Sequence, residues 1–390
     1  MNNKKKKEKK KRKLRTLIFL LFLTIIMLGT STYAWFTANQ TVTIQGIDVH
    51  VETSDGLQIS TNGSTWKSVL TTADITGSTN NVPNYYSGAV NFIPGTLDAV
   101  STDGTVISDA TNGTKSLDFY YSTIGTDTTT GAYQIATHKI YEYTDDPTNH
   151  PVDHSKYIAF DIFLKVSSAK DVYLNTTTSG SNVVSATNSA DRGLYNAARV
   201  AFLPIGEAAS TATVAAITGA YSASTTAELA IWEPNNDTHS QAVINSVSAE
   251  YNQTLTSAGN GVYEPLSYCG ITAEIPSTTR PTTPHFLIDT VNCASSESSY
   301  VTDMTGTMST NSTTGVVSSD GILYSTPATL DLTKKYHIFS LPAGITKMRV
   351  YMWIEGQDLD CENNASGTDI TFNLEFTIPT GSQTGTGQGS

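Results

Sequence analysis

Between Tyr157 and Val166 the chain reads Tyr-Ile-Ala-Phe-Asp-Ile-Phe-Leu-Lys-Val, and after a short turn Asp171-Val172-Tyr173-Leu174 follows. Runs this rich in β-branched and aromatic residues suit a pleated sheet, which places both strands at the heart of a core. Ala132 to Tyr143, Arg199 to Leu203, Lys335 to Leu341, Lys347 to Glu355 and Thr371 to Ile378 carry the same signature. The segments between them are filled with Ser, Thr, Gly and Asn, and only 15% of all residues are charged. Strands joined by polar, uncharged loops predict an all-β protein, an antiparallel β-sandwich of jelly-roll or immunoglobulin-like type with long loops.

Two local signals refine this. Thr41 to Val51 alternates apolar and polar residues, but the phase slips at Gln45-Gly46. A one-residue slip turns the apolar set to the opposite face, so a β-bulge is expected there. Val42, Ile44, Ile47, Val49 and Val51 are the apolar set of this first strand. Further on, Gly56 to Trp66 contains Asn62-Gly63, the dipeptide that suits a type I′ hairpin turn. Glu207 to Leu229, rich in Ala and Thr, reads as either a helix or an elaborated loop.

The amino end reads as an export signal. Ten Lys or Arg precede Thr16, an apolar run extends from Leu17 to Gly29, and the small residues Thr32 and Ala34 stand at positions −3 and −1 of a cleavage site between Ala34 and Trp35. An uncleaved anchor over Leu14 to Phe36 is the alternative, although a span needs about 20 mainly apolar residues. Either way the basic end is expected to stay inside and the remainder to work outside the cell or on its surface, with export machinery and signal peptidase as partners of residues 1–34. Beyond residue 34, 13 Lys and Arg face 34 Asp and Glu. Such a surface repels phosphate backbones, which excludes nucleic acid as a partner.

The expected organisation is a leader over 1–34, sandwich segments over 35–234 and 326–379, a loop-rich insertion or second lobe over 235–325, and a disordered tail of Gly, Ser, Thr and Gln over 380–390. Three cysteines, Cys269, Cys293 and Cys361, are too few for a disulfide-framed scaffold. A Cys269–Cys293 bridge and three reduced, buried thiols are both open.

Catalytic signals are poor. The chain has no HExxH, GxSxG or GxxxxGK[ST] motif. Asp237-Thr238-His239-Ser240 reads as a chance grouping, since triads converge from separated positions. His150-Pro151-Val152-Asp153-His154 reads as a solvated turn. The best ligand candidate is the loop from Asp358 to Asp369, where Asp358, Asp360, Glu362, Asn364 and Asp369 recur with the oxygen-donor alternation of a calcium loop. Position 6 is Asn363 where an EF-hand has Gly, so this is not an EF-hand. The expectation is no cofactor, or Ca²⁺ at this loop.

The leader, Tyr33-Ala34-Trp35-Phe36-Thr37 and the Thr/Val-rich strand after it resemble the leader and mature start of secreted Firmicutes surface proteins, including the TasA and camelysin type of biofilm-fibre subunit. Tyr157 to Leu164, Ile231 to Asn235 and Val350 to Cys361 also resemble segments of exported proteins from that phylum. The resemblance implies a jelly-roll-like sandwich whose first strand pairs with a neighbouring subunit, and export through a dedicated signal peptidase. An extended strand over Thr41 to Val51 spans about 36 Å, long enough to complete another subunit's sheet; the alternative is an ordinary first strand packed in its own sheet. The expected function is therefore a structural or extracellular-matrix protein that partners with itself or other surface proteins. The alternative is an adhesin-like or carbohydrate-binding sandwich whose aromatic residues, among them Tyr85, Tyr86, Tyr120, Tyr121 and Trp232, meet glycans.

Overall fold

The computed structural model describes residues 42–51, 56–79, 82–83, 89–102, 104–110, 113–126, 133–142, 153–174, 184–186, 197–233, 309–311, 315–317, 323–325, 336–356, 361 and 369–378. The chain begins with β1 (Val42–Val51), β2 (Gln58–Ser60), β3 (Val69–Leu70), helix α1 (Thr72–Thr76), and the short pair β4 (Ser78–Thr79) and β5 (Val82–Pro83). Next come β6 (Asn91–Phe92), β7 (Thr96–Leu97), β8 (Ala99–Val100), then β9 (Val106–Asp109), β10 (Thr114–Leu117), β11 (Phe119–Thr126) and β12 (Tyr133–Ile140). The middle of the chain supplies β13 (Ile158–Val166), β14 (Lys170–Leu174), β15 (Val184–Ala186), β16 (Ala198–Ala208), helix α2 (Val214–Thr218) and β17 (Ala230–Glu233). The last elements are β18 (Ser309–Asn311), β19 (Gly315–Val317), β20 (Leu323–Ser325), β21 (Tyr336–Leu341), β22 (Gly344–Glu355) and β23 (Asp369–Thr377).

These strands form an all-β sandwich. The first sheet runs β21-β14-β23-β1-β3, with β15 also beside β23 and β7 beside β1. The second runs β18-β19-β20-β17-β16-β22-β13-β2, with β6 also beside β13 and β8 beside β22. Most pairs are antiparallel; β1 with β23, β17 with β20 and β8 with β22 are parallel. The turn between β13 and β14 is a crossover between the two sheets, so these neighbouring runs face each other across the core. Strands β18 to β20, from the segment read as an insertion, extend the second sheet through the parallel β17–β20 pair.

The core follows from the alternation of side chains along each strand. Ile47, Val49, Phe372, Leu374 and Phe376 of the first sheet meet Phe160, Ile162, Phe202, Val350 and Met352 of the second in one buried cluster. Phe202 bridges the layers, with ring centroids 5.3 Å from Phe339 and 5.4 Å from Phe376. Cys361, in the connection between β22 and β23, is buried in the same cluster. Pro204 sits inside β16, where a proline would interrupt the ladder, and the register with β22 shifts between Pro204 and Gly206 to absorb it.

The second sheet is buried on its other face too. Residues 89–142 place two hairpins, β9–β10 and β11–β12, as separate two-stranded sheets. Leu117, Phe119 and Ile140 of these hairpins pack on Ala159, Ala201, Leu203, Tyr351 and Trp353. The molecule thus has three layers, and its middle sheet turns one face to the sandwich core and the other to the hairpins.

The bulge read at Gln45-Gly46 is present: the register of β1 against β23 shifts between Ile44 and Gly46. The type I′ turn at Asn62-Gly63 is not. Ile59 and Lys67 exchange both backbone hydrogen bonds, at 3.0 and 2.9 Å, and so close a wider loop. Asn62 organises that loop, its Oδ1 accepting from the Ser64 and Thr65 N–H groups, while Ser60 Oγ accepts from Asn62 and Gly63. Side-chain oxygens have replaced the tight turn's own backbone bond. The ambiguous stretch after Glu207 is a loop containing α2, whose first turn is capped by Thr213 Oγ1 accepting from Ala216.

Candidate functional site

Two places in this fold concentrate features beyond ordinary packing. The first is β1. Along one side it pairs in parallel with β23 from Thr43↔Asp369 to Val51↔Phe376. Along the other its ladder is broken: β7 covers Val42 and Thr43, β3 covers Val49 and His50, and the stretch between belongs to the first residue of α1. There Thr72 Oγ1 accepts from the Ile47 N–H at 3.1 Å and donates to the Ile47 carbonyl at 3.0 Å. The Thr72 N–H donates to Asp48 Oδ1 at 2.9 Å. One hydroxyl therefore does for Ile47 what a neighbouring strand would do, satisfying a backbone donor and acceptor that are costly to leave unpaired. The helix that presents Thr72 is fixed by Asp74, whose carboxylate accepts from the Thr71 N–H at 3.1 Å and from Lys67 at 2.6 Å. Ile47, Val49 and Val51 are buried in the sandwich core.

The second is a charged cluster on the outer face of the middle sheet. Alternate residues of β22, namely Lys347, Arg349, Tyr351, Trp353 and Glu355, point away from the sandwich core, and all are buried. Arg349 Nε donates to Asp161 Oδ1 at 2.8 Å, directly across the β13–β22 pair. Arg349 Nη1 donates to Glu142 Oε1 at 2.6 Å and to the Lys115 carbonyl at 2.7 Å. Glu142 Oε2 accepts from Tyr351 at 2.8 Å and from Tyr157 at 3.2 Å. The side chains of Arg349, Glu142 and Asp161 are 4%, 5% and 1% exposed, so two carboxylates share one guanidinium away from water.

Burial opposes the charge on Arg349, but Asp161 and Glu142 outweigh it and hold the guanidinium above its usual range. Burial pushes the Glu142 carboxyl up, and Arg349 offsets only part of that. Tyr157 and Tyr351 are raised well above the usual phenol value by burial and then by the Glu142 charge. Lys347 and Lys115, lowered by burial, donate to the Thr218 and Pro204 carbonyls. Around the charges, Phe119 stacks on Tyr157 at 4.4 Å and meets Trp353 edge-on at 5.2 Å. With its donors and acceptors turned on one another beneath a hairpin layer, the cluster is a joint between layers.

The other residues singled out in the sequence are dispersed. Of the calcium-loop set, Asp369 opens β23 opposite Thr43; Asp358, Asp360, Glu362 and Asn364 lie outside the described residues. So do the Ala34–Trp35 junction, Asp237 to Ser240, His150, Cys269, Cys293, Tyr85, Tyr86 and residues 380–390. Asp153 Oδ1 accepts from the Ser155 N–H in a local turn. The His154 ring stacks on Phe92 with centroids 3.4 Å apart, and its Nε2 donates to the Glu142 carbonyl at 3.0 Å, which fixes a proton on that nitrogen. Tyr120 and Trp232 are buried and Tyr121 is half-buried, packed under Lys156. Among the described residues no group of three or more His, Cys, Asp or Glu is placed to hold a metal ion, and no helix is long and apolar enough to cross a membrane.

Comparison with protein-family models, with curated proteins and with solved structures found no match to this chain in any of the three.

Proposed function

We propose that this chain is a structural protein of the cell surface or extracellular matrix, exported through residues 1–34, which associates with further copies of itself through its first strand. The observation that carries this reading is the slot occupied by β1. One wall of the slot is a continuous strand, β23; the other is assembled from β7, Thr72 and β3. Backbone pairing supplies affinity in such a slot, while the buried positions of Ile47, Val49 and Val51 and the bulge before Gly46 fix the register. A strand of identical sequence from a second chain meets the same requirements. The acidic, charge-sparse composition and the leader-like amino end support work outside the cell.

The test is size-exclusion chromatography with negative-stain microscopy on residues 35–390, with and without calcium. The expected result is filaments or large ordered oligomers whose growth is blocked by an added peptide of sequence 41–51, which competes for the β1 slot. A stable monomer under both conditions overturns the reading and moves the alternative of a glycan-binding sandwich forward, with a glycan array as the next measurement.

A further inference from the structure

Asp118 stands between β10 and β11, where its backbone N–H donates to the Thr105 carbonyl at 2.9 Å. Two residues on, Tyr120 exchanges both backbone hydrogen bonds with Ser101 at 2.9 Å and lies opposite Lys139 in the β11–β12 ladder. Side chains two apart along a strand share a face, so Asp118, Tyr120 and Lys139 meet on one side of the hairpin, at its open end. Asp118 Oδ2 accepts from Lys139 Nζ at 2.8 Å and from the Tyr120 hydroxyl at 2.9 Å. The nitrogen of Lys139 lies 5.8 Å from the ring centroids of both Tyr120 and Tyr141.

The second carboxylate oxygen sets this pair apart. The Asp118 side chain is 8% exposed, and its Oδ1 is buried with no hydrogen-bond partner among the described residues. A buried carboxylate oxygen left bare is costly, and a cation on the other oxygen does not satisfy it. The pairs Lys67–Asp74 and Lys156–Asp98 differ: both oxygens of Asp74 have partners, and Asp98 is 32% exposed. Removing the charge of Asp118 relieves the cost, and the pair holds every atom needed to do so. An ammonium and a carboxylate differ from an amide by one water.

We propose that Lys139 and Asp118 join as an intramolecular amide, a side-chain cross-link that fastens β12 to the start of β11. One proton passes from Nζ to Oδ2, and the freed amine attacks Cγ. The Cγ–Oδ2 bond then breaks, and Oδ2 departs as water with that proton and a second one from the nitrogen. An Nζ–Cγ bond replaces the Cγ–Oδ2 bond, nothing is oxidised or reduced, and Oδ1 becomes a neutral amide oxygen. The Tyr120 hydroxyl already donates to Oδ2, which places an acid at the leaving oxygen. Free amines and carboxylates condense slowly, but groups held in contact reach effective concentrations on the order of 10⁵ to 10⁸ M. The backbone bonds of Asp118 and Tyr120 supply that positioning, and the burial of Asp118 restricts the water that would reverse the step. A bond here ties the hairpin shut at the end from which its strands would otherwise separate.

Peptide mapping by mass spectrometry on the whole protein tests this. Wild type is expected to yield a branched peptide joining the segments that contain Asp118 and Lys139, lighter than their sum by one water. Lys139→Arg keeps the cation but not the attacking amine, and is expected to give the two segments separately at full mass, as is Asp118→Ala. Tyr120→Phe keeps the ring without the acid, and the cross-linked fraction in freshly made protein is expected to fall at least about tenfold. The branched peptide in wild type is itself decisive if a variant does not fold. Two separate full-mass segments in wild type overturn the proposal, and so does a loss of water that persists in Lys139→Arg.

Discussion

Replacing Arg349 with Met tests the account of the outer face most directly. Methionine approximates the length of the arginine stem and fills an apolar position, so the substitution removes the charge and its donors with little change in volume. Arg349 makes close hydrogen bonds to Asp161, Glu142 and the Lys115 carbonyl. Without it, Asp161 keeps the Val90 N–H at 3.3 Å and Glu142 keeps two tyrosines, but both lose the guanidinium that pairs them directly. Removing one member of a buried ion pair costs about 3 to 5 kcal/mol, and the orphaned carbonyl adds about 1 kcal/mol. The loss must also depend on pH. Without the cation both carboxyls bind protons more tightly folded than unfolded, so the variant is weakest at neutral and alkaline pH and regains stability toward pH 5. Each unit by which a carboxyl is raised contributes about 1.4 kcal/mol to that difference. Urea titrations at pH 7.5 and pH 5, followed by tryptophan fluorescence, measure both quantities. The companion variant Arg349→Met/Asp161→Leu/Glu142→Gln removes all three charges together and is expected to recover most of the loss, since apolar replacements of a buried ion pair are commonly neutral or better. A loss below about 1 kcal/mol for the single variant, or one that does not shrink in acid, refutes the argument.

Two further outcomes follow from geometry already described. Thr72→Val keeps the shape of the side chain but deletes the hydroxyl that serves Ile47; a loss of about 1 to 2 kcal/mol is expected, with faster exchange at the Ile47 amide, and an unchanged amide would show that the hydroxyl carries no such role. Gly206→Ala places a methyl group 2.5 Å from backbone atoms of Ala220 and Tyr221, which cannot yield as a flexible side chain does; a loss of about 2 kcal/mol or more is expected by thermal unfolding, and an unshifted midpoint would show that the 220–221 segment moves freely.

The strongest strand signals in the sequence mark the strands at the centre of the structure. Tyr157 to Val166 and Lys347 to Glu355 become β13 and β22, adjacent in the middle sheet, and the slip at Gln45-Gly46 becomes the bulge in β1. These are decided by side-chain alternation within a few residues, which a sequence displays. The outer face was not legible in the same way. Lys347, Arg349 and Glu355 alternate with Met348, Val350 and Ile354, a pattern that ordinarily marks a strand with one face in water. Their burial depends on Glu142, Leu117 and Phe119, distant in sequence and embedded in short runs without a distinctive period. The Asn62-Gly63 reading failed for a local reason: Asn62 and Ser60 supply side-chain acceptors that compete with the tight turn, and the dipeptide alone does not reveal that competition.

The pairing of β1 with β23 also sets the order in which the molecule can be completed. The first strand finds its continuous partner in the last, and β22 must insert between β13 and β16 before the middle sheet has a centre. A chain emerging from its amino end therefore can finish neither sheet until β22 and β23 are free. Contacts between such distant segments make folding slow, because the intervening loops must be closed before the contacts form. Until then β1 lacks β23 and β13 lacks β22, and both early strands remain open along those edges.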